Sequence, residues 1–363
     1  WFFDQWLYRA GHPAYEVAWT WDRKQQAVAL EVSQVQAEDG VTPIFRMPVE
    51  VVTTGDFGTE KFTIQVNNAE ETFYLPVASR PGRVEFDPEN RVLKTLTFTK
   101  RKKELLDQLA NAGDLSRMRA AEWLAEYSDG KVTIALSSSL RNDPFRGVRT
   151  EAARTLGKIR TKAARDSLLA NLHAEHSHVR RAAVAALGKY IGDKKVAAAL
   201  EIVFRNDSSY YTQAEALKSI AKLDVPTAYD LCVEALKVPS FREVIRSSAI
   251  QGLAELKDPR GVDHALQQAV YGNSPSVRAG AIAAMAKMVH FVPDRRSEII
   301  DTLTVRLEDP NFGIRLSAMH ALSKLGDPTV IPSLEASLAR EAHFRHQDTA
   351  REAIQKLRQA GTK

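Results

Sequence analysis

Between about residue 14 and residue 98, apolar side chains return at every second position, the period that sends alternate residues to opposite faces of a β-strand. Phe45, Met47, Val49 and Val51 alternate with Arg46, Pro48 and Glu50; Phe62, Ile64 and Val66 alternate with Thr63 and Gln65; Val28, Leu30 and Val32 repeat the pattern. Turn-forming residues separate the runs at Asp22 to Gln26, Asp39-Gly40, Gly55 to Gly58, Asn67-Asn68, Pro81-Gly82 and Asp87 to Asn90. About six or seven short strands are predicted, each with one apolar face and no helix between them, packed as two antiparallel sheets in a β-sandwich. Pro48 and Pro76 have no N–H for a central ladder and are expected near edges or bulges.

After the basic stretch Lys100 to Lys103 the period changes to the helical one and keeps it to the end. The segments VRTEAARTLGKI at 148, VRRAAVAALGKY at 179, IRSSAIQGLAEL at 245, VRAGAIAAMAKM at 277 and IRLSAMHALSKL at 314 align, and weaker copies start at Ser116, Thr212 and His346. Their fifth position is always alanine: Ala120, Ala152, Ala183, Ala216, Ala249, Ala281, Ala318 and Ala350. Their ninth is always apolar: Leu124, Leu156, Leu187, Ile220, Leu253, Met285, Leu322 and Ile354. A small residue lets neighbouring helices approach, and an apolar residue one turn later faces the same core. A repeat of 31 to 37 residues fits one helix pair that buries its face only by stacking on the next. The predicted architecture is an antiparallel β-sandwich followed by an α-α superhelix, and the repeat motif resembles HEAT repeats.

The second position of the repeat is arginine in Arg117, Arg149, Arg180, Arg246, Arg278 and Arg315, with Gln213 and Gln347 breaking the series. Asp143 stands six residues before Arg149, and Asp309 six before Arg315, each followed by proline. Such an aspartate can hold the turn and accept from a guanidinium, so the row reads as an inter-repeat ladder rather than a phosphate-binding strip.

Charge qualifies this picture. Residues 1–99 hold 9 Lys and Arg against 14 Asp and Glu, and the remainder holds 41 against 31. A basic helical array attracts phosphate backbones, which keeps a scaffold for protein or nucleic acid as the alternative function. No segment approaches the roughly 18 to 20 apolar residues of a membrane span. The single cysteine, Cys232, excludes an internal disulfide and a multi-cysteine metal site, and reads as a small buried apolar residue.

The front of the chain resembles the end of the thermolysin-like domain and the following β-domain of aminopeptidase N-like zinc metallopeptidases, the gluzincins. The segments FFDQWLYRAGHP, EVAWTWD, ALEVSQVQ, FRMPVEVVTT, FTIQV, FYLPV and VEFDPENRVL carry the likeness in order. The resemblance implies three parts: residues 1–12 as the terminal helix of a catalytic domain, 13–99 as the β-sandwich, and 100–363 as the helical repeats. In the first, a helix ending at Gly11-His12-Pro13 would place Phe2, Phe3, Trp6 and Leu7 against that catalytic domain. Trp1 stands inside an apolar stretch without an initiating Met, and the chain is expected to be a piece of a longer protein.

The family's H-E-x-x-H zinc motif is matched by none of the nine histidines, and its G-x-M-E-N segment is absent too. The resemblance therefore implies a non-catalytic C-terminal portion that encloses the chamber of a zinc aminopeptidase and restricts peptide access. Zinc and peptide substrates would belong to the parent, the partners would be its N-terminal and catalytic domains, and nucleic acid is the less favoured partner. This chain alone is expected to be inactive and to hold no cofactor.

Other constellations carry little chemistry. His173, His176 and His178, with Glu175, sit in a turn before a helix and are expected to cap it and meet solvent, as are His343 and His346. Glu70-Glu71 and Glu38-Asp39 read as hairpin ends. Trp1, Trp6, Trp19 and Trp21 read as core and interdomain packing. Lys100 to Lys103 read as a solvated linker at the start of the first long helix. No glycine-rich phosphate loop or nucleophile elbow appears.

Overall fold

The computed structural model describes residues 1–37 and 42–360 and divides into two compact units, Trp1–Ser167 and a second from Leu168 onward. The predicted Asp39-Gly40 turn and the Glu38-Asp39 pair lie outside the described residues.

The first unit opens with a single π-helical turn, Asp4–Tyr8. It stops earlier than the predicted Gly11, because Arg9 is already extended and Gly11 has φ +87°. Seven strands follow: β1 Ala14–Asp22, β2 Ala27–Gln34, β3 Met47–Gly55, β4 Gly58–Val66, β5 Glu70–Pro76, β6 Arg83–Phe86 and β7 Thr95–Phe98. They form sheets of order β5-β2-β1-β7 and β4-β3-β6. The ladders are antiparallel except one: β7 pairs parallel to β1, with Val17 opposite Phe98.

Alternation sets the register. Val17 faces Val32, Leu30 faces Phe73, and Val51 lies between Phe62 and Phe86. The inward residues of both sheets make one core that includes Tyr15, Leu30, Val51, Ile64 and Phe86, and Trp19, Trp21 and Trp123 pack against it. Pro76 ends the edge strand β5. Pro48 belongs to the central strand β3, but β6 reaches only Val51 to Thr54, so no neighbour there needs an N–H from Pro48. The turn between the sheets is tied by Glu71, whose carboxylate accepts the Asn67 and Asn68 backbone N–H groups at 2.6 and 3.1 Å.

The remaining helices of this unit are α1 Lys102–Asn111, α2 Asp114–Trp123, α3 Gly130–Asn142 and α4 Arg146–Ile159, and α5 Lys162–Ala170 runs across the division. The second unit holds α6 Ser177–Leu187, α7 Lys194–Asn206, α8 Tyr210–Lys222, α9 Ala228–Ala235, α10 Val244–Glu255, α11 Gly261–Gln268, α12 Pro275–Met288, α13 Arg296–Val305, α14 Phe312–Leu325, α15 Ile331–Arg340 and α16 Phe344–Ala360. Within each unit the even-numbered helices stack on one another, α2 on α4 and then α6, α8, α10, α12, α14 and α16 in series. The odd-numbered ones lie beside their partners, as α7 does on α8 and α15 on α16. This is the helix-pair solenoid that the period predicts.

All eight fifth-position alanines are fully buried at 0% exposure, and so are six of the eight ninth-position residues, with Ile220 at 1% and Ile354 at 6%. A larger side chain at such a contact has nowhere to go. Ala183→Leu is expected to cost about 1–3 kcal/mol through overpacking, read as a lower unfolding midpoint; an unchanged transition would show that the alanine column does not set the helix spacing.

Candidate functional site

The repeated arginines stand in the first turn of the even-numbered helices, where four of them reach a carboxylate in the turn before the next repeat and Arg246 reaches Glu243 of its own turn at 3.4 Å. Arg117 grips Asp143 through Nε and Nη2 at 2.8 and 2.9 Å, and Arg180 grips Asp207 in the same way at 2.7 and 2.8 Å. Arg278 Nη2 donates to Asp309 at 2.8 Å, and Arg315 Nη2 donates to Glu341 at 2.5 Å. Each of these arginines also binds a backbone carbonyl shortly before its own helix, such as Ala112 O for Arg117 and Ala174 O for Arg180. Each aspartate accepts a second bond from the turn it starts: Asp143 from Phe145 N, Asp207 from Ser209 N and Asp309 from Asn311 N, all at 2.8–2.9 Å.

The electrostatics match this geometry. The hydrogen bonds donated to Asp143 hold the Arg117 guanidinium above its usual value, those to Asp207 do the same for Arg180, and the bond accepted from Arg315 lowers the Glu341 carboxyl. The remaining two arginines reach no aspartate: Arg149 Nε donates to Leu140 O at 3.2 Å, and Arg246 Nε donates to Leu236 O at 2.8 Å.

The aromatic residues at the front separate into two groups. Trp1, Phe2, Phe3, Leu7 and Tyr8 are exposed, and Trp1, Phe2 and Phe3 form an edge-to-face series with centroids 5.9 and 5.7 Å apart. Trp6 is half-buried and packs on Phe45 of the sandwich at 5.0 Å. Gln5 anchors the same turn, accepting from Arg46 N at 2.7 Å and donating to Arg46 O at 3.2 Å.

The Lys100 to Lys103 stretch is not a uniformly solvated linker. The Lys100 side chain is 1% exposed and lies 3.2 Å from Glu104, with Nζ donating to Gln108 Oε1 at 2.6 Å and to Val84 O. Burial lowers its pKa, an effect that Glu104 and Glu85 oppose. Glu104 also accepts from Trp19 Nε1 and Val84 N, while Arg83 bridges Glu85 and Asp107 beside it. Asp87 makes a similar knot, accepting from Arg91 N, Val92 N and Lys94 Nζ. Only Arg101 and Lys103 of the basic stretch are exposed.

The histidines divide as well. His173, His176 and His178 are exposed, and His176 begins α6 without a side-chain cap. His346 is 1% exposed, contrary to its expected solvation, because α16 turns its ring toward α15, where Nε2 lies 3.1 Å from Ser337 Oγ. Burial lowers its pKa from 6.5. The unfolded chain binds this proton more readily, so the contribution to stability is complete above about pH 6.5 and is lost as the pH falls toward the depressed folded value. His346→Gln is expected to flatten the acid side of the stability profile, measured as urea midpoints at about pH 7 and about pH 5.

Cys232 is fully buried, and burial pushes its thiol up to about 12. A β-carbon at Gly252 would lie 2.7 Å from its sulfur, so the two residues are matched in size. Among the described residues no group of three or more His, Cys, Asp or Glu side chains is placed to hold a metal ion. Among the same residues no helix is long and apolar enough to cross a membrane.

No curated protein matches the chain in sequence. Among solved structures, an aminopeptidase A of Legionella pneumophila in complex with aspartic acid is similar over 96% of this chain and 49% of its own, at a TM-score of 0.62 and 11% identity. The chain thus spans about half the length of that structure. The CpcE–CpcF complex of a Nostoc phycocyanin lyase is similar over 71% of this chain and 95% of that one, at 17% identity and a TM-score of 0.43. Escherichia coli YibA is similar over 71% of this chain and 93% of its own, at 20% identity and a TM-score of 0.45. The family model for HEAT repeats matches residues 102–188, 135–209, 197–286 and 262–355. Helix pairs with a buried alanine column, matched by that model over more than half of the chain, make this protein a member of the HEAT-repeat family.

Proposed function

We propose that this chain is a non-catalytic part of a zinc-dependent aminopeptidase of the aminopeptidase N type, in which the helical repeats wall the catalytic chamber and admit peptides. Residues 1–12 would end the catalytic domain, 13–99 form the β-sandwich and 100–363 the wall. The observation that carries the reading is the likeness to the Legionella aminopeptidase across 96% of the chain, which includes the strands that the HEAT model leaves unmatched. The exposed Phe2, Phe3 and Leu7 support it, since apolar side chains on a helical turn suit coverage by a further domain. Zinc and the peptide-bond chemistry would reside in the catalytic domain, with this chain supplying shape.

The whole protein is then expected to release N-terminal residues from peptides in a chelator-sensitive way and to act slowly on folded proteins with free N-termini. This chain alone is expected to bind no stoichiometric zinc. Chelator-insensitive peptidase activity, or equal rates on folded proteins and peptides, would overturn the proposal. The alternative of a nucleic-acid scaffold draws on the basic surplus, but the repeated arginines are already committed to carboxylates and carbonyls.

A further inference from the structure

Uncommitted positive charge of the first unit lines two adjoining hollows between the sandwich and α1, of about 660 and 580 Å3, that share Trp19, Arg80, Arg101 and Glu104. Arg23 lines one and Lys103 the other. Arg23, Arg80, Arg101 and Lys103 are all exposed, and none is within ion-pair distance of a carboxylate among the described residues. Three carboxylates also line the hollows, but two are occupied. Glu104 serves Lys100, Trp19 and Val84, and Asp107 serves Arg83 and Asn111. Asp56 is left as the one uncommitted acid against four cations.

Here four cations from three separated segments, the β1–β2 hairpin, the loop before β6 and the start of α1, line the hollows with Asp56 as the one acid left to neutralise them. Like charges held together repel, and an anion between them removes that cost. The three arginines present forked donors that match a phosphate, and the hollows have the volume of a small-molecule site. Trp19 is fixed by its Nε1–Glu104 bond at 3.3 Å and carries the Arg80 guanidinium 5.9 Å above its ring; Trp21 lines the neighbouring hollow.

We propose that the trough binds a small molecule bearing two or more phosphate groups, held by Arg23, Arg80, Arg101 and Lys103 beside the Trp19 ring. The site is independent of the peptidase reading, since it uses only residues of the first unit.

The test is titration of the chain with inorganic pyrophosphate, followed by calorimetry. Saturable one-to-one binding that weakens as salt is raised is expected. The Arg80→Glu/Arg101→Glu double variant is expected to bind about tenfold or more weakly, with an unchanged melting transition showing that it folds. Arg345→Glu, an equal charge reversal in the second unit, is expected to bind as wild type does. Absence of saturable binding, full affinity in the double variant, equal weakening by Arg345→Glu, or citrate binding as tightly as pyrophosphate would each overturn the assignment. If the double variant does not fold, Arg23→Glu and Lys103→Glu are measured singly, and unchanged affinity in both overturns it.

Discussion

Replacing Asp309 by alanine is expected to destabilise the second unit by about 3–5 kcal/mol. The Arg278 and Asp309 side chains are 5% and 1% exposed, the most buried of the four arginine–carboxylate contacts in the repeat row. A guanidinium does not shed its proton, so without Asp309 it stays charged in a place with little water. The turn also loses the acceptor for Asn311 N, bonded at 2.9 Å. The companion variant Arg278→Met/Asp309→Leu is expected to recover most of the loss, because an apolar pair needs no solvation. Arg205→Ala, which breaks an exposed contact with Glu234 at 42% and 50% exposure, is expected to leave the midpoint close to that of wild type. Urea unfolding reads all three, and hydrogen exchange along α12 and α14 distinguishes a local opening from loss of the whole stack. An Asp309→Ala midpoint equal to wild type would mean that the pair contributes nothing to holding the repeats together.

The alanine column was legible because its signal is local: a small residue and an apolar residue one turn apart, recurring with the helix pair. The arginine partners were legible only in part. The acids at Asp143 and Asp309 stand six residues before Arg149 and Arg315, yet they serve Arg117 and Arg278, the arginines of the preceding repeat. Asp207 and Glu341 stand six residues before Gln213 and Gln347, where no arginine drew attention to them, and they serve Arg180 and Arg315. The same alignment accounts for the two arginines without an aspartate: the corresponding residues one repeat after Arg149 and Arg246 are Ala174 and Gly272. A row that depends on two adjacent copies is visible only when each copy is compared with the one after it.

Tertiary burial hid more. Nothing in the basic stretch separates Lys100 from Lys103, since both look like solvated charges beside a helix start. What distinguishes them is distance along the chain: Lys100 meets Val84 sixteen residues earlier, and the pairing of β7 beside β1 joins residues about eighty apart. His346 was misread for the same reason, because the group that covers it, Ser337, belongs to another element.

The buried lysine supplies the second large expectation. Glu104→Leu is expected to cost about 3–5 kcal/mol of the first unit's stability, because it removes the carboxylate 3.2 Å from Lys100 and the acceptor of both Trp19 Nε1 and Val84 N. The loss carries a pH signature whose sign follows from linkage. Burial already lowers the Lys100 pKa below 10.5, and without Glu104 it falls further, so above the folded value the unfolded chain holds a proton that the folded one has released. Stability of the variant therefore rises as the pH is raised through that window, and its deficit against wild type narrows toward 10.5. Lys100→Met/Glu104→Leu is expected to be less destabilised than Glu104→Leu near neutral pH and to lack this rise. Urea midpoints taken from neutral to alkaline pH separate the outcomes. A deficit that stays constant across the range would locate the cost in the lost Trp19 and Val84 bonds, and would show that a charged Lys100 is tolerated there without its carboxylate.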